Sequence, residues 1–114
     1  MAVLDPGVLV EAAALDIPLE ALPAHDVVEG SPSAGAVALH EGDVEIGVWE
    51  MTPGTATDTE VDEVFVVLSG RATVRFDDPA LPPIEIASGS VVRLTDGMRT
   101  TWVVHETLRK VYVA

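Results

Sequence analysis

With 114 residues and no cysteine, the chain has room for one domain and none for a disulfide framework or a thiolate metal site. Apolar residues make up 48% but aromatic ones only 4%, so aliphatic side chains must fill the core. The net charge of -13 is concentrated in residues 1–70, which carry fourteen acids and no Lys or Arg; it excludes nucleic acid and anionic membranes as partners.

Met1 to Val10 lacks the basic start of a secretory signal. The longest apolar run, Val64 to Leu68, is far too short to span a bilayer. A soluble, cytoplasmic protein is therefore expected. Residues 1–24 differ from the rest. Val8 to Leu15 is rich in Ala, Leu and Val and predicts about two helical turns. Pro18 and Pro23 forbid a longer helix. These residues are expected to lie as an arm on a second unit, residues 25–114.

From Asp26 onward the pattern is one of short strands and turn residues. Val37 to Leu39 ends at Glu41-Gly42-Asp43. In Val44 to Met51, Val44, Ile46 and Val48 share one face, and Glu45, Gly47 and Trp49 the other. Pro53-Gly54 breaks that strand, and Val61 to Leu68 follows, ending at Ser69-Gly70 where a hairpin must turn. Ala72, Val74 and Phe76 then alternate with Arg71, Thr73 and Arg75. Ile84 to Ala87, Val91 to Leu94, Thr100 to His105 and Leu108 to Val113 complete the set. Turns at this spacing predict an all-β sandwich or barrel. Val64 to Leu68 is apolar on both faces, so its outer face must be covered by the arm, a second sheet or another subunit. A homodimer is expected on that ground.

Residues 47–70, GVWEMTPGTATDTEVDEVFVVLSG, and 89–112, GSVVRLTDGMRTTWVVHETLRKVY, together carry a resemblance. The cues are a Trp-Glu strand, an acidic stretch, Glu63 seven residues before Gly70, Gly89 and Gly97 in turns, Trp102, and Arg109-Lys110 before Tyr112. The pair resembles the two blocks of the small-cupin family related to ureidoglycine aminohydrolase and the ethanolamine-utilisation cupin, over roughly residues 28–113. The resemblance implies a double-stranded β-helix, a jelly-roll-like barrel formed by residues 25–114 with a short N-terminal arm.

Metal-binding cupins set two His and one Glu in the first block and one His in the second. By spacing to Gly70, Gly89 and Gly97, those positions fall at Thr57, Thr59, Glu63 and Thr100. Three of the four are threonine, a poor transition-metal ligand, so no metal and no cofactor is expected. Parity predicts an inward set of Thr57, Thr59, Glu63, Phe65, Thr100, Trp102 and Val104, a mostly apolar cup with hydroxyls and one carboxylate. Glu63 needs a partner there, with Arg99, Arg109 and Lys110 as candidates. Lys110 shares parity with Tyr112, and the pattern leaves their face open.

The expected ligand-binding set is thus Thr57, Thr59, Glu63, Phe65, Arg99, Thr100, Trp102 and Lys110, with Glu63 the best candidate for acid–base work. The leading functional expectation is a metal-independent barrel that binds a small polar metabolite. The alternatives are a small-molecule enzyme, as the likeness to ureidoglycine aminohydrolase implies, and a dimeric structural or regulatory module.

Overall fold

The structure, a computed structural model, describes residues 3–114. Its strands are β1 (Glu20–Ala21), β2 (Val27–Glu29), β3 (Ser33–Glu41), β4 (Glu45–Met51), β5 (Gly54–Thr59), β6 (Glu63–Phe76), β7 (Ile84–Ala87), β8 (Val91–Leu94) and β9 (Arg99–Val113). The strand pairings among the described residues are antiparallel.

Two long strands carry the architecture. The first part of β9, Arg99 to Val104, pairs with β5 on one side and with Ala72 to Phe76 of β6 on the other. The last part of β9, Leu108 to Val113, pairs with β4 and with Val64 to Val67 of β6. β7 extends the far part of β6, and β8 its near part. Two sheets therefore share β6 and β9, and the whole curls round one interior. This is the double-stranded β-helix.

Strands that belong to two sheets must bend, and the bend is built into the sequence. The β6–β9 register shifts repeatedly between Val67 and Ala72. Gly70 sits there at φ 91°, and a Cβ on it would collide with the Thr107 carbonyl. Only glycine takes that conformation at that closeness without strain. Ser69-Gly70 is thus a bulge inside one strand and not the hairpin turn predicted; the separator Glu106-Thr107 likewise lies inside β9. In sequence, a polar-glycine pair that bends a strand looks the same as one that ends it. β5 was also not predicted, because its Thr-rich, acidic run has little apolar signal.

The core divides in two. Inside the barrel, Met51, Phe65, Val67, Val74, Ile86, Leu94, Trp102 and Leu108 pack together. Outside, Ile17, Leu39 and Val48 form a second cluster with Leu4, Val10, Leu15, Leu19 and Val111. Each fully buried aliphatic side chain contributes about 1.5–3 kcal/mol. The arm therefore covers the outer face of β3, β4 and part of β9. The two predicted helical turns reduce to one 3-10 turn at Ala12–Ala14, which has no side-chain cap. Leu15 is already extended, and so short a helix cannot offset its nucleation cost. β1 adds to the edge of β3 instead. Beyond the arm, Val64, Val66, Val91 and Val113 remain exposed on the outer face of β6, β8 and β9. Among the described residues, no helix is long and apolar enough to cross a membrane.

Candidate functional site

Strand alternation along β9 sends Thr100, Trp102, Val104, Leu108, Lys110 and Tyr112 inward, and all six are buried. Their cross-strand neighbours face the same way. On β4 these are Met51 opposite Leu108, Trp49 opposite Lys110 and Gly47 opposite Tyr112. A Cβ on Gly47 would collide with the tyrosine ring, so the glycine makes room for it. On β6, Phe65 faces Tyr112 and Val67 faces Lys110. On β5, Ala56 faces Trp102 and Asp58 faces Thr100.

These side chains leave a cavity of about 470 Å³ inside the barrel. Ala34, Ala36 and Ala56 line it, and their small size keeps it open. Its polar wall holds Asp58, Glu60, Glu63 and Lys110. That volume and mixture suit a small-molecule site.

The most unusual group is Lys110, only 5% exposed. Lysine is almost never buried unless paired. Here its Nζ donates to Glu63 Oε2 at 2.7 Å. The ammonium also lies 4.7 Å from the ring centre of Trp49, 4.3 Å from that of Phe65 and 4.8 Å from that of Trp102. Three ring faces and one carboxylate thus replace its hydration shell. Trp49 and Trp102 are themselves tilted against each other at 5.7 Å.

A second carboxylate stands beside this group. Glu60 is 7% exposed. Its Oε2 accepts from Thr100 Oγ1 at 2.6 Å and from Trp102 Nε1 at 3.0 Å. Its backbone is pinned across the β8–β9 turn, with its N–H donating to Met98 O and its carbonyl accepting from Gly97 N. Asp58, next to it, has its carboxyl pushed above the usual range, first by burial and then by the charge of Glu60, with Lys110 pulling the other way. At the far wall Tyr112 Oη donates to Glu45 Oε2 at 2.6 Å. Burial first, and that bond second, push the phenol upward.

The predicted site residues scatter accordingly. Glu63, Trp102 and Lys110 line the cavity, and Phe65 is buried behind Lys110. Thr100 is buried as a donor to Glu60. Thr57 and Thr59 do not join them on the inner face. The β5–β9 register turns them outward, and they reach the cavity only at its exposed rim. The reason is that strand parity does not carry across the Glu60–Asp62 link between β5 and β6. Arg99 also faces outward, 3.5 Å from Asp77 on an exposed surface, and Arg109 pairs with Glu50. Neither is the partner of Glu63.

Glu60 is not in the expected ligand-binding set; it precedes the strand that period-two alternation describes, so parity gives it no face. Trp49, which lines the cavity, is likewise absent from the expected ligand-binding set. The usable signal was the shared face of Glu45, Gly47 and Trp49, which the register sets opposite Lys110 and Tyr112.

Metal-binding members of this fold hold a divalent ion with imidazoles and a carboxylate, and the residues present do not fit one. Among the described residues no three His, Asp or Glu side chains converge for metal binding. His25, His40 and His105 are all exposed, and His105 stands outside, 2.9 Å from Thr73 Oγ1. Glu63 faces an ammonium instead.

A double-stranded β-helix with its polar site inside the barrel defines the cupin class. The comparisons narrow it: residues 38–112 match the model of the EutQ-like cupin domain, and the chain belongs to that family. Three solved structures share the fold. The ethanolamine utilisation protein EutQ of Salmonella typhimurium superposes with a TM-score of 0.62 at 21% identity, over 72% of this chain and 68% of that one. EutQ of Clostridium difficile gives 0.62 at 21% identity, over 72% of this chain and 61% of that one. A cupin superfamily protein of Desulfitobacterium hafniense gives 0.65 at 15% identity, over all of this chain and 94% of its own. No curated protein matches the sequence.

Proposed function

We propose that this chain binds a small polar metabolite in the barrel cavity and does so without a metal. The observation that carries the proposal is the Glu63–Lys110 pair at the cavity wall. Desolvating an ion pair costs more than it commonly returns, and a well-packed apolar pair would stabilise the barrel at least as well. A buried charge pair that borders open space, framed by three aromatic rings, has the make-up of a ligand anchor. The positions where metal-binding cupins carry their ligands fall here at Thr57, Thr59, Glu63 and Thr100, a set compatible with binding in place of metal chemistry.

A thermal-shift screen of the full chain over small amines, acids, ureides and sugars tests it. At least one compound is expected to raise the melting temperature with concentration, and Glu63→Gln to remove that rise relative to its own baseline. A broad screen with no stabiliser would count against binding altogether.

A second observation favours self-association. Val64, Val66, Val91 and Val113 are respectively 41%, 38%, 66% and 39% exposed, and the register makes them neighbours. For a chain of charge -13, most surfaces repel a second copy. The four positions on this face are all valine, and Arg93 pairs opposite Val64. We propose it as the contact of a homodimer, which light scattering would show, and which Val66→Lys should split.

A further inference from the structure

Five carboxylates line the cavity, those of Asp26, Glu45, Asp58, Glu60 and Glu63, and Lys110 is the one basic side chain among them. Lys110 is committed to Glu63, and Glu45 accepts from Tyr112. Glu60 is different. Both of its hydrogen bonds fall on Oε2, and Oε1 accepts none among the described residues. No fully buried side-chain oxygen in the described residues lacks a partner, so Oε1 is not sealed. It opens on the cavity that the side chain lines. A carboxylate 7% exposed with one oxygen unanswered lacks a positive partner. The neighbouring Asp58, more open to solvent, lines the same cavity and has its carboxyl pushed upward by burial and by the charge of Glu60, against the pull of the Thr59 backbone and Lys110.

We propose that the occupant of the cavity is a small organic cation with N–H donors, a primary ammonium or a guanidinium, held by Glu60 Oε1 and Asp58. This holds only if the cavity binds a small metabolite, as proposed above. The short carbon chain of such a cation would lie on Leu22, Ala34, Met51 and Ala56, the aliphatic part of the lining. N–H donors are required because the two carboxylates are hydrogen-bond acceptors. A quaternary ammonium would need an aromatic cage, and the rings of Trp49, Phe65 and Trp102 already surround Lys110. An organic anion would meet an excess of negative charge.

Calorimetric titration of the full chain with n-butylammonium, agmatine, choline and butyrate, at pH 8 and fixed ionic strength, tests this. Butylammonium and agmatine are expected to bind saturably, one per chain. Choline should bind about tenfold more weakly or worse, and butyrate should give no binding, as expected when charge-assisted hydrogen bonds are lost. Glu60→Gln should weaken butylammonium about tenfold or more. If that buried variant fails to fold, Asp58→Asn at the more open carboxylate decides, with an expected loss of several-fold. Choline binding as tightly as butylammonium would overturn the proposal, as would butyrate binding more tightly or variants binding like the native chain. Equal heat from magnesium chloride would do so too, since it would mean simple charge neutralisation. If all four probes fail while a neutral or anionic compound from the thermal-shift screen binds in a Glu63-dependent way, the cation proposal falls and the cavity reading stands. If nothing binds, both fall.

Discussion

β9 places two basic residues side by side and sends them to opposite worlds. Lys110 points into the barrel and meets Glu63 at 2.7 Å; Arg109 points outward and meets Glu50 at 2.9 Å. The two pairs are almost equally buried, with side chains 6% and 12% exposed inside and 11% and 17% outside. What differs is the cover. The outer pair lies beneath the arm, and Arg109 Nη1 also donates to Ala12 O at 2.9 Å. The inner pair is backed by three rings and faces a cavity. The same chemistry therefore fastens a segment of chain on one side and lines an open volume on the other. Burial and distance alone do not separate a structural ion pair from a binding group; what stands on its free side does.

The largest effect should come from breaking the inner pair. Lys110→Met leaves the Glu63 carboxylate without its partner, in a side chain only 12% exposed. Equilibrium urea denaturation should show a loss of about 3–5 kcal/mol, the usual result of stranding one partner of a buried pair. Adding Glu63→Gln should recover much of that loss, because the stranded charge is gone. A single-variant loss below about 1 kcal/mol would mean that water screens the pair, and the contrast with a truly desolvated site would collapse.

The outer pair should be milder. Arg109→Met removes the bond to Glu50 and the tie to Ala12. The expected loss is about 1–3 kcal/mol, because Glu50 regains water when the arm lifts. The distinguishing readout is limited proteolysis: cleavage within the arm should quicken while the barrel stays resistant. Equal protection of the arm in the variant and the native chain would show that its apolar residues, and not Arg109, hold it down.

The same two sides mark what could be read from sequence. The strands of the barrel were legible, since Ile46, Val48, Val64, Phe65, Val74 and Trp102 alternate or cluster as buried strands do, and the ordered glycines pointed to the cupin arrangement. The outer cover was legible in part: the arm reads as two helical turns in sequence, and the chain there makes one 3-10 turn followed by extended backbone. The inner site was legible only where a residue lies within a strand, as Glu63 and Trp102 do. Thr57 and Thr59 were misplaced, because a short link resets parity. Lys110 could not be given a face from its own strand, because the apparent break at Glu106-Thr107 lies inside a continuous β9. Glu60 could not be given a face, because its orientation comes from hydrogen bonds to Thr100 and Trp102, some forty positions away.

The smallest expected effect concerns Asp58, and it probes the acid side of the cavity without touching the ion pair. Its carboxyl lies above its ordinary value of 3.8 in the folded chain. The folded chain therefore keeps this proton to higher pH than the unfolded chain does. The stability it contributes is present below the ordinary value and is lost as pH rises through the raised one. Asp58→Asn fixes the neutral form. Its stability should vary less with pH across that window, and at pH 7 it should match or slightly exceed the native chain, by no more than about 0.5 kcal/mol at so open a position. Urea midpoints measured from pH 3 to pH 8 check this. If Asp58→Asn instead destabilises the chain at pH 7 and leaves the pH profile unchanged, Asp58 is paired in solution, and the negative charge that sets the inner wall apart from the outer one is already answered.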